Sequence, residues 1–275
     1  MIYALKLEWL KLRHYRVFWI LIGMYLLALL VITSVGVFIL EWLKNQGADF
    51  EGLDPTIIPI YDFPDIWQNT TYLGSFIKIL LAIVVIVTVN NDISYNTLRQ
   101  NVIDGISKKQ YLLSKFLFIV SLGVLSTLFL FVFGLINGSI YSNVWGADYI
   151  FSELEFLFAY FYDIVVYCML AFLLSLLIKK AGFVIVFLFL YTIMFEPIMV
   201  AIFTYAPYFK DGFMPEITAY FPINALNQLI PVPFPKYIFR EIQDYVSWKA
   251  IFISTGWLII YVLLITFTLN KRDLK

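Results

Sequence analysis

Six long apolar stretches separated by polar links set the pattern of this chain, running over 17–40, 71–90, 116–140, 157–178, 181–203 and 250–269. A hydrocarbon layer about 30 Å thick is crossed by about 20 apolar residues in a helix, so each stretch predicts one transmembrane helix. The second is the least regular. Lys78 interrupts it, and its best unbroken run, 79–89, is too short to cross alone. The expected fold class is all-α: a polytopic membrane protein of six spans, forming a single transmembrane domain over 1–275. The first stretch is about twice as long as a signal-peptide core, and no small-residue cleavage pattern precedes the charged segment after it; it is expected to remain as an anchor.

Three polar links carry their own pattern. In the N-terminal segment MIYALKLEWLKLRHYR, apolar Leu5, Trp9 and Leu12 recur at helical spacing, while Lys6, Glu8, Lys11 and Arg13 fall largely elsewhere on the wheel. That predicts an amphipathic helix in the membrane interface. Between spans two and three, NDISYNTLRQNVIDGISKKQYLLS predicts a short helix: Asn96 or Thr97 is placed to cap it, Leu98, Val102 and Ile103 give it an apolar face, and Gly105 with Ser107 ends it. A helix held between two spans is a handle, because force applied to it moves both. The link over 204–248 is rich in apolar residues and divided by Pro222, Pro231, Pro233 and Pro235. It predicts a short helix over 224–229, dipping into the membrane or capping the bundle.

Composition strengthens the membrane reading. The chain is 62% apolar and 14% charged, where soluble domains carry about a quarter charged residues. A soluble enzyme is excluded, and a net charge of zero leaves no footprint for nucleic acid. Cys168 is the only cysteine and His14 the only histidine, so neither a disulfide nor Cys-His or metal chemistry has the residues it needs. No catalytic residue, metal site or cofactor is expected. The acids of the 41–70 link, Glu41, Asp49, Glu51, Asp54, Asp62 and Asp65, match no calcium-loop spacing and predict a solvated face.

Position of charge matters more than its sum. Thirteen Lys and Arg residues fall in the N-terminal segment, the 91–115 link, the Lys179-Lys180 turn and the tail, against five in the opposite links. The positive-inside rule then places both termini in the cytoplasm. Three ionisable residues remain within the spans: Lys78, Asp163 and Glu196. Charge in hydrocarbon must snorkel, pair or line a wet cavity. Lys78 and Asp163 each lie about 9–10 Å along their helices from the outer face and can pair; Pro197 behind Glu196 frees a backbone acceptor in span five. Gly134 and Gly138 in span three permit a close helix crossing.

The 91–115 region carries a family resemblance. Asn91-Asp92 ends span two, Thr97-Leu98-Arg99 follows, and Gly105-Ile106-Ser107-Lys108-Lys109-Gln110-Tyr111 with Lys115 leads into span three. This resembles the signature region of permease subunits of type-two ATP-binding cassette (ABC) exporters, with Asn91-Asp92 and Lys108 standing where common members carry Glu and Arg. The tail over 270–274 resembles the family's usual ending. The resemblance implies a bacterial inner-membrane permease that pairs with a second copy or a paralogue, contacts membrane lipids, and works with ATPase subunits made as separate chains. It makes the 91–113 helix the coupling helix and Arg99, Asp104, Gly105, Lys108 and Lys109 its ATPase contact, with external helices before the last span closing the outer gate. The chain itself contains no G-x-x-x-x-G-K-[ST] nucleotide loop. Spans this apolar suit a lipid, an amphipathic peptide or a hydrophobic drug better than a sugar or ion. An ion-gradient-driven secondary transporter and a non-transporting membrane scaffold stay open as alternatives.

The charge count predicts that 41–70, 141–156 and 204–248 are external. Cysteine accessibility scanning in intact cells checks this: single cysteines in those links are expected to label from outside, and strong external labelling at position 109 overturns the topology.

Overall fold

A computed structural model describes residues 2–45, 60–209, 212–233 and 245–271. The acids Asp49, Glu51 and Asp54, the loop proline Pro235 and the basic tail beyond Lys271 lie outside the described residues. Helices α1 (Ile2–Arg13) and α2 (Arg16–Asn45) open the chain, followed by α3 (Ile66–Phe76) and α4 (Lys78–Ser94). Then come α5 (Thr97–Ile103), α6 (Lys108–Tyr141), the short α7 (Ala147–Ile150) and α8 (Glu155–Ile178). A π segment (Tyr191–Phe195) joins α9 (Ala181–Leu190) to α10 (Glu196–Tyr205); α11 (Met214–Thr218), α12 (Pro222–Asn227) and α13 (Trp248–Lys271) complete the order. Among the described residues five helices are long and apolar enough to cross a membrane, and the α3–α4 pair, bent by 45°, makes a sixth when it is taken as one broken span. The described residues form no strand, as an apolar solvent requires of an open backbone.

Span four is the centre of the bundle. The most apolar stretch of Ala147–Ile178 is 72% buried, against 17–33% in the other unbroken spans. Around α8 pack α3, α4, α6, α9 and α13. A cluster of hydroxyls binds three spans at mid-bundle: Tyr25 of α2 bonds Ser126 of α6, and Tyr160 of α8 meets Tyr25 at 2.8 Å and Ser126 at 3.0 Å. All three are buried. Each hydroxyl is thereby satisfied where lipid offers no partner.

Polar contacts sort the links onto two ends, in the alternation that six crossings require. At one end, Asp62 Oδ1 accepts from Asn143 N at 2.7 Å, Trp67 Nε1 donates to Ile150 O at 2.8 Å, and Glu155 Oε1 accepts from Val246 N at 2.9 Å. At the other, Lys108 Nζ donates to Asn270 O at 3.3 Å, beside α1 and α5.

Span two departs from its hydropathy. It begins at Ile66 rather than at position 71 because its early polar side chains are satisfied locally: Thr70 and Thr71 donate to Ile66 O and Trp67 O at 2.6 Å, and Asn69 donates to Ile60 O at 2.7 Å. The helix breaks at Ile77, next to Lys78. Span five is also irregular. Pro197 cannot sit four residues after a carbonyl in a regular helix without a clash, and the wider turn ahead of it, closed by Glu196 N donating to Tyr191 O, accommodates the ring. The helix predicted over 224–229 starts two residues earlier, at Pro222, whose fixed φ suits a first helical position. A further short helix, α11, precedes it.

Gly134 and Gly138 make a close approach, though to aromatic rings of the same chain rather than to another helix backbone. A Cβ at Gly138 would sit 2.2 Å from the Phe63 ring, and one at Gly134 would sit 2.7 Å from Trp67. Both rings are buried, and Trp67 is further held by stacking on Phe131 at 5.4 Å. Gly138→Ala is therefore expected to destabilise by about 1–3 kcal/mol, the usual cost of overpacking, whereas Gly23→Ala, which meets nothing within 4 Å, is expected to be neutral. Thermal unfolding in detergent checks both, and Phe63→Leu in the Gly138→Ala background is expected to recover part of the loss.

Candidate functional site

The short helix between spans two and three forms, over Thr97–Ile103. Asn96 occupies its N-cap position in the left-handed region (φ 55) but makes no side-chain cap bond, so the expected capping role is corrected: the residue serves the sharp turn out of α4 instead. Gly105 adopts φ +94, a conformation that L side chains rarely adopt. Ser107 then opens α6 with a capping box, its hydroxyl accepting from Gln110 N at 3.2 Å while the Gln110 side chain accepts from Ser107 N at 2.8 Å. Arg99, Asp104 and Lys109 are exposed on this end, and Lys108 is half-buried. Ile103, expected on the apolar face of this helix, is 72% exposed, and nearby Tyr95 is 77% exposed. The helix is too short to turn every apolar residue toward the bundle.

Beneath this helix lies a buried group of charges that ties three elements together. Lys115 of α6 donates to Glu8 Oε2 of α1 at 2.8 Å and lies 2.6 Å from Asp92 Oδ2 at the end of α4. Lys11 completes the set, 3.2 Å from Asp92 and 3.5 Å from Glu8. Tyr111 donates to Asp92 at 3.3 Å, and Ser114 to Glu8 at 3.4 Å. Two carboxylates and two ammoniums cancel, which lets Glu8, Asp92 and Lys115 be almost wholly buried. Such a group is held only while complete, since removing one member strands its partners in low dielectric.

This corrects the reading of α1. Glu8 does not lie on a solvated polar face; it turns inward because Lys115 needs a counter-charge there, while Trp9 is half exposed. Asp92 was legible only as the acid ending span two, and Lys115 only as a basic anchor. One signal was present: Glu8 is the only acid among the first 40 residues, in a segment otherwise basic.

The three intramembrane charges gather toward the opposite end of the bundle. Lys78 Nζ donates to both Asp163 oxygens, at 2.7 and 2.9 Å, as the matched depth predicts. The ammonium also lies 5.2 Å from the centre of the Tyr167 ring, whose hydroxyl bonds Thr192 of the π segment at 2.9 Å. Glu196 does not join this pair. Its Oε1 accepts from Asn224 N at 2.6 Å, holding the start of α12 against span five. A cavity of about 490 Å³ has the Lys78–Asp163 pair in its wall, and a smaller one of about 270 Å³ is lined by Glu196. Among the described residues no group of His, Cys, Asp and Glu could hold a metal ion.

Breaking the Lys78–Asp163 pair from one side is expected to cost about 3–5 kcal/mol, with Lys78→Met and Asp163→Leu each leaving an unpaired buried charge, while the double variant costs less than either single one. Thermal unfolding of the four proteins in detergent checks the coupling; additive losses would mean that the two charges act independently.

The elements that carry both charge groups fall within one stretch of sequence. The family model described as ABC-2 family transporter protein matches residues 4–196, from the start of α1 through Glu196. No curated protein matches the chain. With six apolar spans, a short helix clamped between two of them and a family match over most of its length, the chain belongs to the ABC-2 transporter family and is a membrane permease component of an ABC transporter.

Proposed function

We propose that this permease is the export channel half of an ATP-driven transporter, with both termini in the cytoplasm of a bacterial cell and its substrate an apolar or amphipathic molecule. A second copy or a paralogue completes the channel, and separate ABC ATPase subunits supply the energy. The observation that carries this reading is the mounting of α5. Its two ends continue into spans two and three, and directly beneath it the Glu8–Lys11–Asp92–Lys115 group locks both spans to α1. A push on α5 is therefore passed to two spans and the interface helix as one body.

The exposed surface suits a protein partner. Tyr95 and Ile103 present apolar area and Arg99, Asp104 and Lys109 surround it with charge, the mixture of anchor and polar rim that protein interfaces use. The rival ion-gradient mechanism draws on the broken second span and the π segment of the fifth, since broken helices mark the sites of secondary transporters.

Co-purification with candidate ABC ATPases in lipid, followed by an ATPase assay, decides between them. Wild-type permease is expected to bind and stimulate the ATPase. Gly105→Val strains a backbone at φ +94 without any steric contact, and is expected to reduce stimulation roughly tenfold, about 1.4 kcal/mol of lost coupling, as is charge reversal at Lys108 and Lys109. All should still insert in the membrane. If no ATPase associates and the purified chain alone moves substrate down an ion gradient, the rival mechanism replaces this one.

A further inference from the structure

The cavity of about 490 Å³ lies where the bend of span two, span four, the π segment and α12 meet. Its volume falls within the roughly 300–1,000 Å³ of small-molecule sites. Apolar side chains form most of its wall, and set among them is a complete ion pair: Lys78 is 5% exposed and Asp163 1%. The hydroxyls of Tyr167 and Thr192 satisfy one another and Ser75 donates to Tyr72 O at 2.7 Å, so the charge offered to an occupant is that of the pair, with the side chain of Asn227 on α12 also in the wall. Phe76 and Ile193, on spans two and five, both line the cavity and are 60% and 54% exposed, so its wall continues onto the apolar outer surface of two spans.

Charge decides which occupant fits. The wall pair is neutral overall, so an occupant with one net charge would leave that charge unmatched in a low-dielectric site. A wholly apolar occupant would leave the pair unsolvated. A head group that carries both signs can set its anion on Lys78 and its cation on Asp163; the face of Tyr167 is taken by the Lys78 ammonium itself, 5.2 Å from the ring centre. The attached chain then lies along Phe76 and Ile193. We propose that this cavity is a binding site for a zwitterionic amphiphile of the phospholipid type, read by the Lys78–Asp163 pair. The assignment goes beyond ATP-driven export and concerns binding by this chain alone, so either can fail without the other.

The test places a reporter in the wall and leaves the pair intact. Val232→Cys, on an exposed position of the cavity wall, is made in a Cys168→Ala background and the protein is set in nanodiscs of phosphatidylglycerol, which hold no zwitterion. Maleimide labelling of position 232 is timed with three single-chain lipids of equal acyl length: lysophosphatidylcholine (zwitterionic), lysophosphatidic acid (anionic) and monoacylglycerol (neutral). At about four times its dissociation constant a bound ligand leaves about a fifth of the sites free, so saturable slowing of about fivefold is expected with lysophosphatidylcholine and little with the other two. Equal protection by monoacylglycerol overturns the proposal in favour of a plain apolar groove. So does the absence of protection by any of the three. Labelling that is blocked before any lipid is added, and released on dissociation to monomers, overturns it in favour of an interface between copies. A Lys78→Met, Asp163→Leu double variant, where it folds, is expected to lose the preference for the zwitterion; where it does not fold, the three-lipid comparison with the intact pair decides.

Discussion

A charge drawn into an apolar bundle has to be matched within a few ångströms, and the places where this protein meets that demand are the places where its helices are fastened. Lys115 enters the bundle about two turns into α6, and the response is to bring Glu8 from the N-terminal helix and Asp92 from the end of span two to the same point. Lys78 and Asp163 do the same between spans two and four. Remaining contacts between spans are largely close packing, which in lipid supplies little direction of its own because the tails are as apolar as the side chains. Polar contacts therefore fix register and order, and packing fills in around them.

The two fastenings differ in what they hold. The group under α5 joins elements that follow one another closely in the chain on two sides and adds a third from far away, so it acts as a clamp around the exposed handle. The Lys78–Asp163 pair sits beside two irregularities, the bend at Ile77 and the π segment before Pro197, and borders empty volume. Irregular backbone within a membrane is sustained only where protein or a cavity satisfies it, and π turns are often found at functional sites. One end of the bundle is thus built for rigidity and the other for space. Glu196 links the spacious end to the short helices before the last span through Asn224.

Much of the architecture was legible in the sequence because the bilayer imposes a length and a sign. Apolar run length gave the six spans, and their alternation gave two ends. The matched depths of Lys78 and Asp163 foretold their pairing, since an intramembrane charge has few other options. Gly105 and the Thr97-Leu98-Arg99 segment announced a short helix and its exit. The start of span two at Ile66 was not legible, because Thr70 and Thr71 count as polar on a hydropathy scale while their hydroxyls are already bonded to the backbone a turn below.

Along the chain alone, the lengths of the spans, the existence of a short helix between the second and third, and the isolation of three charges in hydrocarbon were determined, all of them local or set by the solvent. Only the tertiary structure decided that Glu8 faces inward, that Lys115 and Asp92 share it, and that Gly134 and Gly138 receive the rings of Trp67 and Phe63 rather than another helix backbone. Each is a contact between residues far apart in sequence; Glu8 and Lys115, for example, are separated by 107 positions. A helical wheel assigns a charged residue to the polar face because it knows only the residue's own helix. The face it takes in the protein is chosen by the opposite charge waiting on another.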